Sequence, residues 1–532
     1  MTHQSAKSSF SDAIYSVAEI RAVELAFAGT HPRVSLMQRA GEAVALQVRA
    51  MQARATSHTV LILAGPGNNG GDAWVAARAL QKAKCVVSVY AMGEQIKGEM
   101  VAQKARAAYL KNNGVLYPRF TSKSNTGAGF GKFGIIVDGL FGIGFSARHA
   151  SAEMAAIVTA SRAARSRGSL VLALDSPSGL DADTGVASAE ALVADETLTF
   201  IALKPGLLTG DAADYCGTIR VHTLGLTLPA PHGHALTRPQ LAARRANTHK
   251  GSYGHVGVLG GASGMVGAAL LAARAALLLG AGKVSLGLMA KKSLAVDLRH
   301  PEIMFAKPAD LIAHAGVTAI AIGMGAGFET ATDKLLQALV ANPKAAVIDA
   351  DALTILAEKT IARSAFLALA KAAKKISISP QTPHPALPFV LTPHPGEAAR
   401  LLGVTTVEIQ QNRVAAALKL AKKYASVVVL KGAGTIIANP SGQYAINRTG
   451  NPGMAAGGMG DALAGMIAAR LAQGDTPWHA ACAGVVLHGA AADACVARGV
   501  GPVGLTASDV MLEARVLLNL WAAPSRASPS PP

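Results

Sequence analysis

Short, uniformly apolar runs separated by turns that contain Gly or Pro recur along both halves of the chain. Such runs are typical of strands buried on both faces, and each is followed by an Ala- and Leu-rich stretch of helical composition. This alternation predicts an α/β fold with a mostly parallel sheet in each half. The predicted strands are Val60–Ala64, Val86–Tyr90, Gly134–Asp138 and Ser169–Asp175 in the first half, and Val256–Leu259, Ala319–Ile322, Ala346–Asp349, Phe389–Leu391 and Val427–Leu430 in the second.

The length of the chain predicts more than one domain. A chain of 532 residues is too long for one hydrophobic core. The segment Pro229-Ala-Pro-His-Gly-His234 interrupts both the helical and the strand periodicity, so the chain is expected to divide there. We predict a first domain over 12–226, a linker over 227–243, a second domain over 244–518 and a disordered Pro- and Ser-rich tail over 519–532.

Composition narrows the class of protein. Hydrophobic residues make up 51% of the chain and aromatic residues only 4%, so Ala, Leu, Val and Ile dominate, as in α/β layers. The mean hydropathy of +0.32 would also suit a membrane protein. The apolar runs are, however, broken by charges or Gly, as at Arg274, and the N-terminus lacks an apolar signal core. We therefore expect a cytoplasmic protein with no membrane partner.

Cysteine spacing and charge exclude two further classes. The four cysteines, Cys85, Cys216, Cys482 and Cys495, fit no C-x-x-C metal spacing and are interpreted as free thiols. The net charge of +18 is dispersed, without a long basic run or an array of stacking aromatics. Anionic metabolites, rather than nucleic acid, are therefore the expected partners.

Polar residues and glycines follow three of the predicted strands in the first half. The turn Gly65-Pro-Gly-Asn-Asn-Gly-Gly-Asp72 follows the first strand, and Asp138 and Asp175 end two others. Because the carboxyl ends of parallel strands share one edge of a sheet, we expect these residues to converge in a site. Asp72 is consistent either with a cap of the helix predicted over Ala73–Gln81 or with a contact to a ribose hydroxyl.

Four separated motifs in the first half resemble, in order, those of NAD(P)H-hydrate epimerase. They are the leading helix with Ala18–Arg21 and Leu36–Gly41, the turn Gly65–Asp72, Asp138-Gly-Leu-Phe-Gly-Ile-Gly144, and Asp175-Ser-Pro-Ser-Gly-Leu-Asp181. The resemblance covers roughly residues 12 to 226. It implies a Rossmann-like fold and the interconversion of the R and S epimers of hydrated NADH or NADPH.

The same resemblance implies residue roles. Asp175 would be the acid–base residue near the reacting ring carbon, and Asn69, Asp138 and Ser178 would hold a potassium ion. The implied substrate contacts are Asn68, Asn69, Gly70, Gly71, Asp72, Gly142, Ile143, Gly144, Phe145, Ser146, Ala147, Arg148 and Asp175. Ala73 and Ser176 depart from the residues common in the family, so an altered rate is expected rather than a lost site.

In the second half, the loop Asn447–Asp461 precedes an apolar helical run. Its glycines leave backbone N–H groups open to an anion at a helix N-terminus, and a carboxylate there suits an adjacent hydroxyl. Asp461 is also consistent with a simple helix N-cap. His394, Lys431 and Asp349-Ala-Asp351 each follow a predicted strand.

Together with His249-Lys-Gly-Ser-Tyr-Gly254, these motifs resemble the ADP-dependent NAD(P)H-hydrate dehydratase of the ribokinase-like superfamily, over about residues 240 to 515. The resemblance implies that Asp461 is the base that activates the substrate hydroxyl, and that Mg²⁺ enters with ADP. It also implies a nucleotide site of Lys431, Gly432, Ala433, Gly434, Thr435 and Gly460, a hydrate pocket of Ala268, Gly327, His394 and Asp461, and phosphate or magnesium contacts from Glu397 and Asn451. Met459 replaces a usual Ser or Thr.

The leading hypothesis is a bifunctional repair enzyme, which epimerises R- and S-NAD(P)HX and dehydrates the S epimer to NAD(P)H at the expense of ADP, giving AMP and phosphate. The family resemblance further implies a homo-oligomer. One alternative is a vitamin or sugar kinase of the ribokinase-like superfamily, which would leave the first domain unexplained. Another is a non-catalytic RNA-processing or protein-binding scaffold, against which Asp138 and Asp175 argue. The preference for ADP over ATP rests on analogy alone.

Overall fold

The chain divides into two compact units, Met1–His234 and Ala235–Pro532, each with its own parallel sheet. The computed structural model describes residues 12–92, 100–120, 130–143, 151–241, 243–291, 295–328, 330–358, 360–375 and 386–522. The α/β class predicted from the alternation of apolar runs and helical stretches is confirmed in both units. The finer domain bounds stay predictions.

The first unit alternates strands and helices. Its strands are β1 (Ala13–Ile14), β2 (Val60–Ala64), β3 (Val87–Ala91), β4 (Val115–Leu116), β5 (Ile135–Gly139), β6 (Leu170–Leu174), β7 (Glu196–Phe200), β8 (Thr218–His222) and β9 (Gly233–Ala235). Its helices are α1 (Val17–Thr30), α2 (Leu36–Gln52), α3 (Asn68–Lys82), α4 (Met100–Lys111), α5 (Ala152–Arg165) and α6 (Ala212–Tyr215). A 3₁₀ turn covers Pro205–Leu207.

The main sheet of the first unit has the order β4-β3-β2-β5-β6-β7-β8 and is parallel throughout. Val60 of β2 lies opposite both Val87 and Ile135, so β2 is flanked by β3 and β5. The strand order reverses between β2 and β5, and ligands of open parallel sheets bind beyond the carboxyl ends of strands at such a point. The turn after β2 and Asp138 of β5 therefore lie where the topology favours a site.

Both faces of this sheet are covered, which explains the uniformly apolar strands. Val60 and Ile62 of β2 point into a core shared with α2 and α3. Leu61 and Leu63 of the same strand point into a second core, which α5 closes with Met154. Successive side chains of a strand point to opposite faces. Every position of a strand that is covered on both faces is therefore buried, which favours apolar residues throughout.

The second unit continues the alternation. Its strands are β10 (His255–Gly260), β11 (Lys283–Leu288), β12 (Met304–Phe305), β13 (Ala319–Ile322), β14 (Ala345–Ile348), β15 (Phe389–Leu391), β16 (Val427–Leu430), β17 (Ile436–Ala438) and β18 (Tyr444–Ile446). Its helices are α7 (Val266–Leu278), α8 (Pro308–Ala313), α9 (Thr330–Ala341), α10 (Ala350–Ala357), α11 (Ile361–Lys375), α12 (Pro395–Leu402), α13 (Thr406–Gln411), α14 (Arg413–Tyr424), α15 (Met459–Ala472), α16 (Pro477–Ala497) and α17 (Ala507–Ala522).

The sheet of the second unit runs β18-β17-β16-β15-β14-β13-β10-β11-β12. The strands from β12 to β16 pair in parallel, and β17 and β18 are antiparallel additions. One face carries a core built largely from Ala side chains of α7, α15 and α16. A Cβ on Gly465 of α15 would collide with the carbonyl oxygen of Ala272 of α7, so glycine permits the close approach of these helices. This packing holds the N-terminus of α15 at the sheet.

The predicted strand bounds agree with the structure at β2, β13, β15 and β16 and differ by one residue at either end of the others. One prediction about the C-terminus is wrong. The disordered tail was expected from residue 519, but α17 continues to Ala522 because Trp521 packs against the core and under the guanidinium of Arg238, 5.4 Å from the ring centroid. The rest of that segment, 523–532, lies outside the described residues.

Within the described ranges, one helix, α16, is long and apolar enough to cross a membrane by length and composition. In this structure 67% of its most apolar window is buried inside the protein. Buried core helices of globular domains can have the same length and apolar composition.

Two candidate active sites

The Gly-rich turn after β2 is shorter than predicted, because α3 begins at Asn68 rather than at Ala73. Gly67 is the N-cap residue and Asp72 lies inside the helix, so the interpretation of Asp72 as the cap is wrong. A Cβ on Gly70 would collide with the carbonyl oxygen of Gly65, and glycine therefore lets the first turn of α3 pack on the preceding loop. The predicted contacts from Asn68 to Asp72 thus form a helix N-terminus, which suits an anion.

Asp138 and Ser178 are in direct contact at the end of β5. The Asp138 carboxylate accepts hydrogen bonds from the Ser178 hydroxyl at 2.6 Å and the Ser178 N–H at 2.7 Å, and from Leu140 N–H at 3.3 Å. Complete burial raises the pKa of Asp138 to about 6, although these hydrogen bonds lower it. Asn69 lies alongside, since a Cβ on Gly142 would be 3.2 Å from its carboxamide oxygen. The three predicted cation ligands therefore border one turn.

Asp175 follows β6 and is held by β7 and the loop after it. Its backbone has a positive φ of 64°, a conformation that non-glycine residues adopt rarely. One carboxylate oxygen, Oδ1, accepts hydrogen bonds from Thr199 Oγ1 at 3.2 Å and Phe200 N–H at 3.1 Å, and forms an ion pair with Lys204 Nζ. The Lys204 side chain is fully buried. This lysine is absent from the residues predicted by sequence.

A cavity of about 240 Å³ lies at Gly142, the residue that borders Asn69. It is lined by Val17, Arg21, Gly142, Ile143, Asp181, Ala182 and Asp183. Arg21 donates a hydrogen bond to the Ile143 carbonyl at 3.4 Å, and Asp183 accepts one from Val17 N–H at 2.8 Å. The cavity therefore contains two of the predicted substrate contacts, Gly142 and Ile143. The others in that motif, Gly144, Phe145, Ser146, Ala147 and Arg148, lie outside the described residues.

In the second unit, α15 begins at Met459 with Gly458 as its N-cap residue at a φ of 88°. Asp461 lies in the first turn, so the interpretation of Asp461 as the N-cap is wrong. A Cβ on Gly460 would be 3.4 Å from Lys431 Nζ and 3.9 Å from an oxygen of Asp349, so the start of the helix lies against these charged groups. The Met459 side chain, 5% exposed, belongs to the hydrophobic core.

Four charged side chains meet at this helix N-terminus. Lys431 Nζ donates to Asp349 at 2.7 Å and lies 3.9 Å from Glu397 Oε2. Burial raises the pKa of Asp461 to about 6; repulsion from Asp349 and Asp351 adds to this and attraction to Lys431 opposes it. The pKa of Glu397 is also raised, chiefly by burial. The arrangement places a carboxylate of raised proton affinity beside a cation and a helix N-terminus.

His394 and Gly327 lie on the loops after β15 and β13, the two strands that flank β14. His394 is the N-cap of α12: its Nδ1 accepts hydrogen bonds from Gly396 and Glu397, and its Nε2 lies 3.4 Å from Glu397 Oε1. Burial and the nearby Lys431 lower the pKa of His394, so the imidazole is neutral at pH 7. Gly327 N–H donates to Asp351 Oδ2 at 2.8 Å. The expected hydrate pocket thus adjoins the carboxylates around Lys431.

Ala268, the remaining expected pocket residue, lies in the first turn of α7. The loop before α7 is joined to the loop after β13 by hydrogen bonds from Gly261 N–H to Met324 at 3.0 Å and from Ala262 N–H to Gly325 at 2.6 Å. A Cβ on Gly325 would be 3.3 Å from the Ala268 methyl. Ala268 and the loop that carries Gly327 are therefore brought together.

The predicted nucleotide loop, Lys431–Thr435, rests on a buried arginine. Arg413 of α14 donates to the Lys431 carbonyl at 3.2 Å, and its guanidinium would be 2.9 Å from a Cβ on Gly432. Gly432 has a φ of 137°, which side chains disfavour. Thr435 Oγ1 closes the loop with a 2.9 Å hydrogen bond to the Gly432 carbonyl. Ala433 and Gly434 lie between these fixed ends.

Asn451, expected to contact phosphate or magnesium, is the N-cap residue of a 3₁₀ turn over Pro452–Met454, and its side chain is held by hydrogen bonds. Its Oδ1 accepts from Gly453 N–H at 3.0 Å, and its Nδ2 donates to Asp493 Oδ1 at 3.0 Å. The second oxygen of Asp493 accepts from Gly450 N–H at 2.8 Å. Asp493 of α16 therefore anchors the loop that leads to α15.

Comparison with known proteins follows the same division. Residues 33–206 match the family model of the YjeF-related protein N-terminus, and residues 256–511 match that of NAD(P)H-hydrate dehydratase. The chain is 37% identical over 526 residues to the bifunctional NAD(P)H-hydrate repair enzyme Nnr of Coxiella burnetii. The alignment covers 95% of this chain and 99% of the Coxiella protein. The chain belongs to the family of bifunctional NAD(P)H-hydrate repair enzymes. The corresponding Escherichia coli protein is 36% identical over 91% of this chain and 89% of its own.

Solved structures cover the repair enzyme in parts. The ADP/ATP-dependent NAD(P)H-hydrate dehydratase of Bacillus subtilis, co-crystallised with ATP and Mg²⁺, is 31% identical, with a TM-score of 0.44 over 53% of this chain and 95% of that chain. Family membership confirms the predicted bifunctional repair activity, and the two sheets confirm the predicted α/β class. It leaves the roles of individual residues as predictions.

Three residues that contact the predicted site residues were not predicted from the sequence: Lys204, Arg413 and Asp493. Lys204 had a usable signal, because it follows a buried strand and precedes Pro205-Gly, the same context that singled out Asp138 and Asp175. Arg413 and Asp493 had none. Each lies within a helix and reaches its loop only through the tertiary fold.

Proposed function

We propose that the chain interconverts the R and S hydrates of NADH and NADPH at the Asp175 site and dehydrates the S hydrate at the Asp461 site. ADP would be the phosphoryl donor, and AMP and phosphate the products. The observation that carries this assignment is the difference between the two carboxylates: Asp175 is paired with a buried lysine, whereas Asp461 has a raised pKa beside a helix N-terminus. Homo-oligomeric assembly and a cytoplasmic location remain part of the proposal.

At the first site, the hydrated ring carbon bears both a hydroxyl and the ring nitrogen. Inverting such a carbon requires one of its bonds to break and re-form on the other face. Opening of the C–N bond moves the hydroxyl proton to the ring nitrogen and leaves an aldehyde, and reclosure reverses the transfer, so one positioned carboxylate can relay the proton. Asp175 is that carboxylate, and the cavity lined by Gly142 and Ile143 would hold part of the hydrate. Asp138, Ser178 and Asn69 offer carboxylate, hydroxyl and amide oxygens, a donor set that suits a hard cation such as potassium. A bound potassium ion would neutralise the buried Asp138 charge.

At the second site, Asp461 removes the proton of the substrate hydroxyl as that oxygen attacks the terminal phosphoryl group of ADP. Lys431 and the backbone N–H groups of Gly458, Met459 and Gly460 stabilise the charge on the transferring phosphoryl group. The resulting phosphate ester leaves with electrons from the ring nitrogen. Loss of a proton from the neighbouring carbon then restores the dihydropyridine. Hydrate and ADP thereby give NAD(P)H, AMP and phosphate.

Magnesium is expected to enter with the nucleotide. Among the described residues no group of three or more His, Cys, Asp or Glu side chains could hold a metal ion. Magnesium commonly binds one or two carboxylates together with substrate phosphates, and Glu397 and Asp349 beside Lys431 fit that pattern. The ion would offset phosphate charge during transfer.

The test uses the purified chain with a mixture of NADHX epimers, ADP and Mg²⁺, followed by absorbance at about 340 nm, where the dihydropyridine absorbs. The mixture is expected to convert fully to NADH. Conversion that stops at the S fraction would remove the epimerase assignment, and conversion without nucleotide would remove the ADP-dependent one. A stable phosphorylated product without a gain in absorbance would indicate a small-molecule kinase. Parallel assays with ATP, and with NADPHX, define the preferences.

A further inference from the structure

Lys204 is a fully buried lysine whose ammonium group donates a hydrogen bond to each of three acceptors. It is the N-cap residue of the 3₁₀ turn that follows β7. Its Nζ donates to Asp175 Oδ1, to Thr199 Oγ1 at 2.8 Å and to the Phe200 carbonyl at 2.8 Å. Three donors therefore meet three acceptors, and a charged lysine can be kept away from water at this position.

The same contacts divide the two oxygens of Asp175. Oδ1 receives Lys204 Nζ, Thr199 Oγ1 and Phe200 N–H. Oδ2 has no hydrogen-bond partner within the part of the chain that the structure describes, and the side chain is 12% exposed. One oxygen is thus anchored by the protein, while the other is available to a ligand.

The local backbone also directs this carboxylate. Asp175 has a φ of 64°, and its N–H donates to the Leu198 carbonyl of β7 at 2.8 Å. Within the described residues, Lys204 is the charged group in contact with the carboxylate. The nearest carboxylate on the adjoining strand, Asp138, bonds to Ser178 instead. The electrostatic setting of Asp175 is therefore decided chiefly by Lys204.

We propose that Lys204 is the positioning residue of the epimerase site: it anchors Oδ1 of Asp175 and leaves Oδ2 as the oxygen that exchanges the proton with the hydrate. This inference rests on the proposed epimerase function. Lys204 has no direct contact with substrate in this role. Its charge and its fit act through Asp175, and the two contributions can be separated by substitution.

The test compares Lys204→Met and Lys204→Arg with the wild-type chain in epimerisation of NADHX, followed by separation of the epimers by chromatography across a pH series. Lys204→Met is expected to lower kcat about 100-fold at pH 7 and to move the acid limb of the pH–rate profile up by about 1–2 pH units, because an adjacent cation favours the ionised carboxylate. KM is expected to change little. Lys204→Arg should keep the acid limb while kcat falls, because the larger planar guanidinium does not fit the buried position.

Glu196→Gln is the matched control, since Glu196 is a buried carboxylate at the opposite end of β7. It pairs with Arg54 and with Arg220, the latter at 2.9 Å. This variant is expected to lower thermal stability without moving the acid limb. Dehydration of pure S-NADHX by the second domain serves as an internal measure of intact protein in every sample.

Each outcome decides the inference. An acid limb unchanged in a folded Lys204→Met variant would overturn it and leave Lys204 a packing residue. If that variant fails to fold, Thr199→Val, which removes one donor to Oδ1 and one acceptor of Lys204, should move the acid limb in the same direction by a smaller step; an unmoved limb would again overturn the inference. A wild-type chain that leaves the epimer ratio unchanged would instead contradict the proposed epimerase function.

Discussion

The two candidate active sites each contain a largely buried aspartate, but the charged and polar groups around the two aspartates differ. Asp175 is compensated: a buried lysine, a hydroxyl and a backbone N–H all meet one of its oxygens. Asp461 is uncompensated: burial and the neighbouring Asp349 and Asp351 raise its pKa to about 6, and Lys431 is already paired with Asp349. The first arrangement favours a carboxylate fixed in one position. The second favours a carboxylate of raised proton affinity, as the proposed proton acceptor at this site requires.

The largest expected effect concerns the chemistry of each site. Asp461→Asn should lower dehydration of S-NADHX by about 10³-fold, because the base is lost, while the epimer ratio still equilibrates. Asp175→Asn should do the reverse. Absorbance and chromatography of the epimers measure the two reactions in one sample. Loss of both reactions in a folded single variant would contradict the separation of the sites.

The next effect is the loss of stability expected from Asp175→Asn. This variant leaves Lys204 buried without its carboxylate, which costs about 3 kcal/mol in the free energy of unfolding of the first domain. Hydrogen exchange of peptides from each domain measures the change, with the second domain as the control. Unchanged protection in the first domain would show that Lys204 is neutral or solvated.

Asp461→Asn should raise the free energy of unfolding of the second domain, whereas Asp175→Asn lowers that of the first. The folded pKa of about 6 lies above the ordinary value of 3.8, so the folded state loses stability as the pH rises through that interval. An uncharged Asn avoids this loss and is expected to stabilise the second domain on the order of 2 kcal/mol at pH 7.5. The gain should disappear by about pH 3, where Asp461 is protonated in both states. A gain independent of pH would indicate a packing effect instead.

A smaller effect is expected in the nucleotide loop. Gly432→Ala forces a Cβ to within 2.9 Å of the Arg413 guanidinium at a φ of 137°. The loop should shift and the KM for ADP should rise about 10-fold, whereas kcat changes less. Gly442→Ala is a useful control, because it also has a positive φ, 92°, but meets no neighbouring atom within 4 Å. Equal effects of the two variants would exclude a role for Arg413.

The smallest effect concerns Met459, the first residue of α15. Its side chain is buried in the core, and the first turn of α15 offers its backbone N–H to the site whatever the side chain. Met459→Ser should therefore lower the stability of the second domain by about 1–2 kcal/mol, through lost apolar packing, with less than a fivefold change in dehydration. A large gain in turnover would show instead that a hydroxyl is needed there.

The sequence by itself determined the class of fold, the two-part division and the residues that border each site. Apolar runs bounded by Gly and Pro carry that information locally, because a strand covered on both faces must be apolar and because a turn at its end must accept the residues that bind ligands. The strands β13, β15 and β16 and the aspartates Asp138 and Asp175 could be identified in this way, whereas Asp461 was identified from the Gly-rich loop that precedes an apolar helical run.

Only the tertiary structure decided which partner each carboxylate has. Lys204 is 29 residues from Asp175 along the chain and Lys431 is 82 from Asp349, and no local pattern encodes either pair. The helix starts at Asn68 and Met459 were also decided there. Glycines would weaken an isolated helix, but Gly70 lets α3 pack against the backbone of Gly65, and Gly460 lets α15 approach the side chains of Lys431 and Asp349. Side-chain chemistry is local, whereas burial and pairing depend on contacts between distant segments.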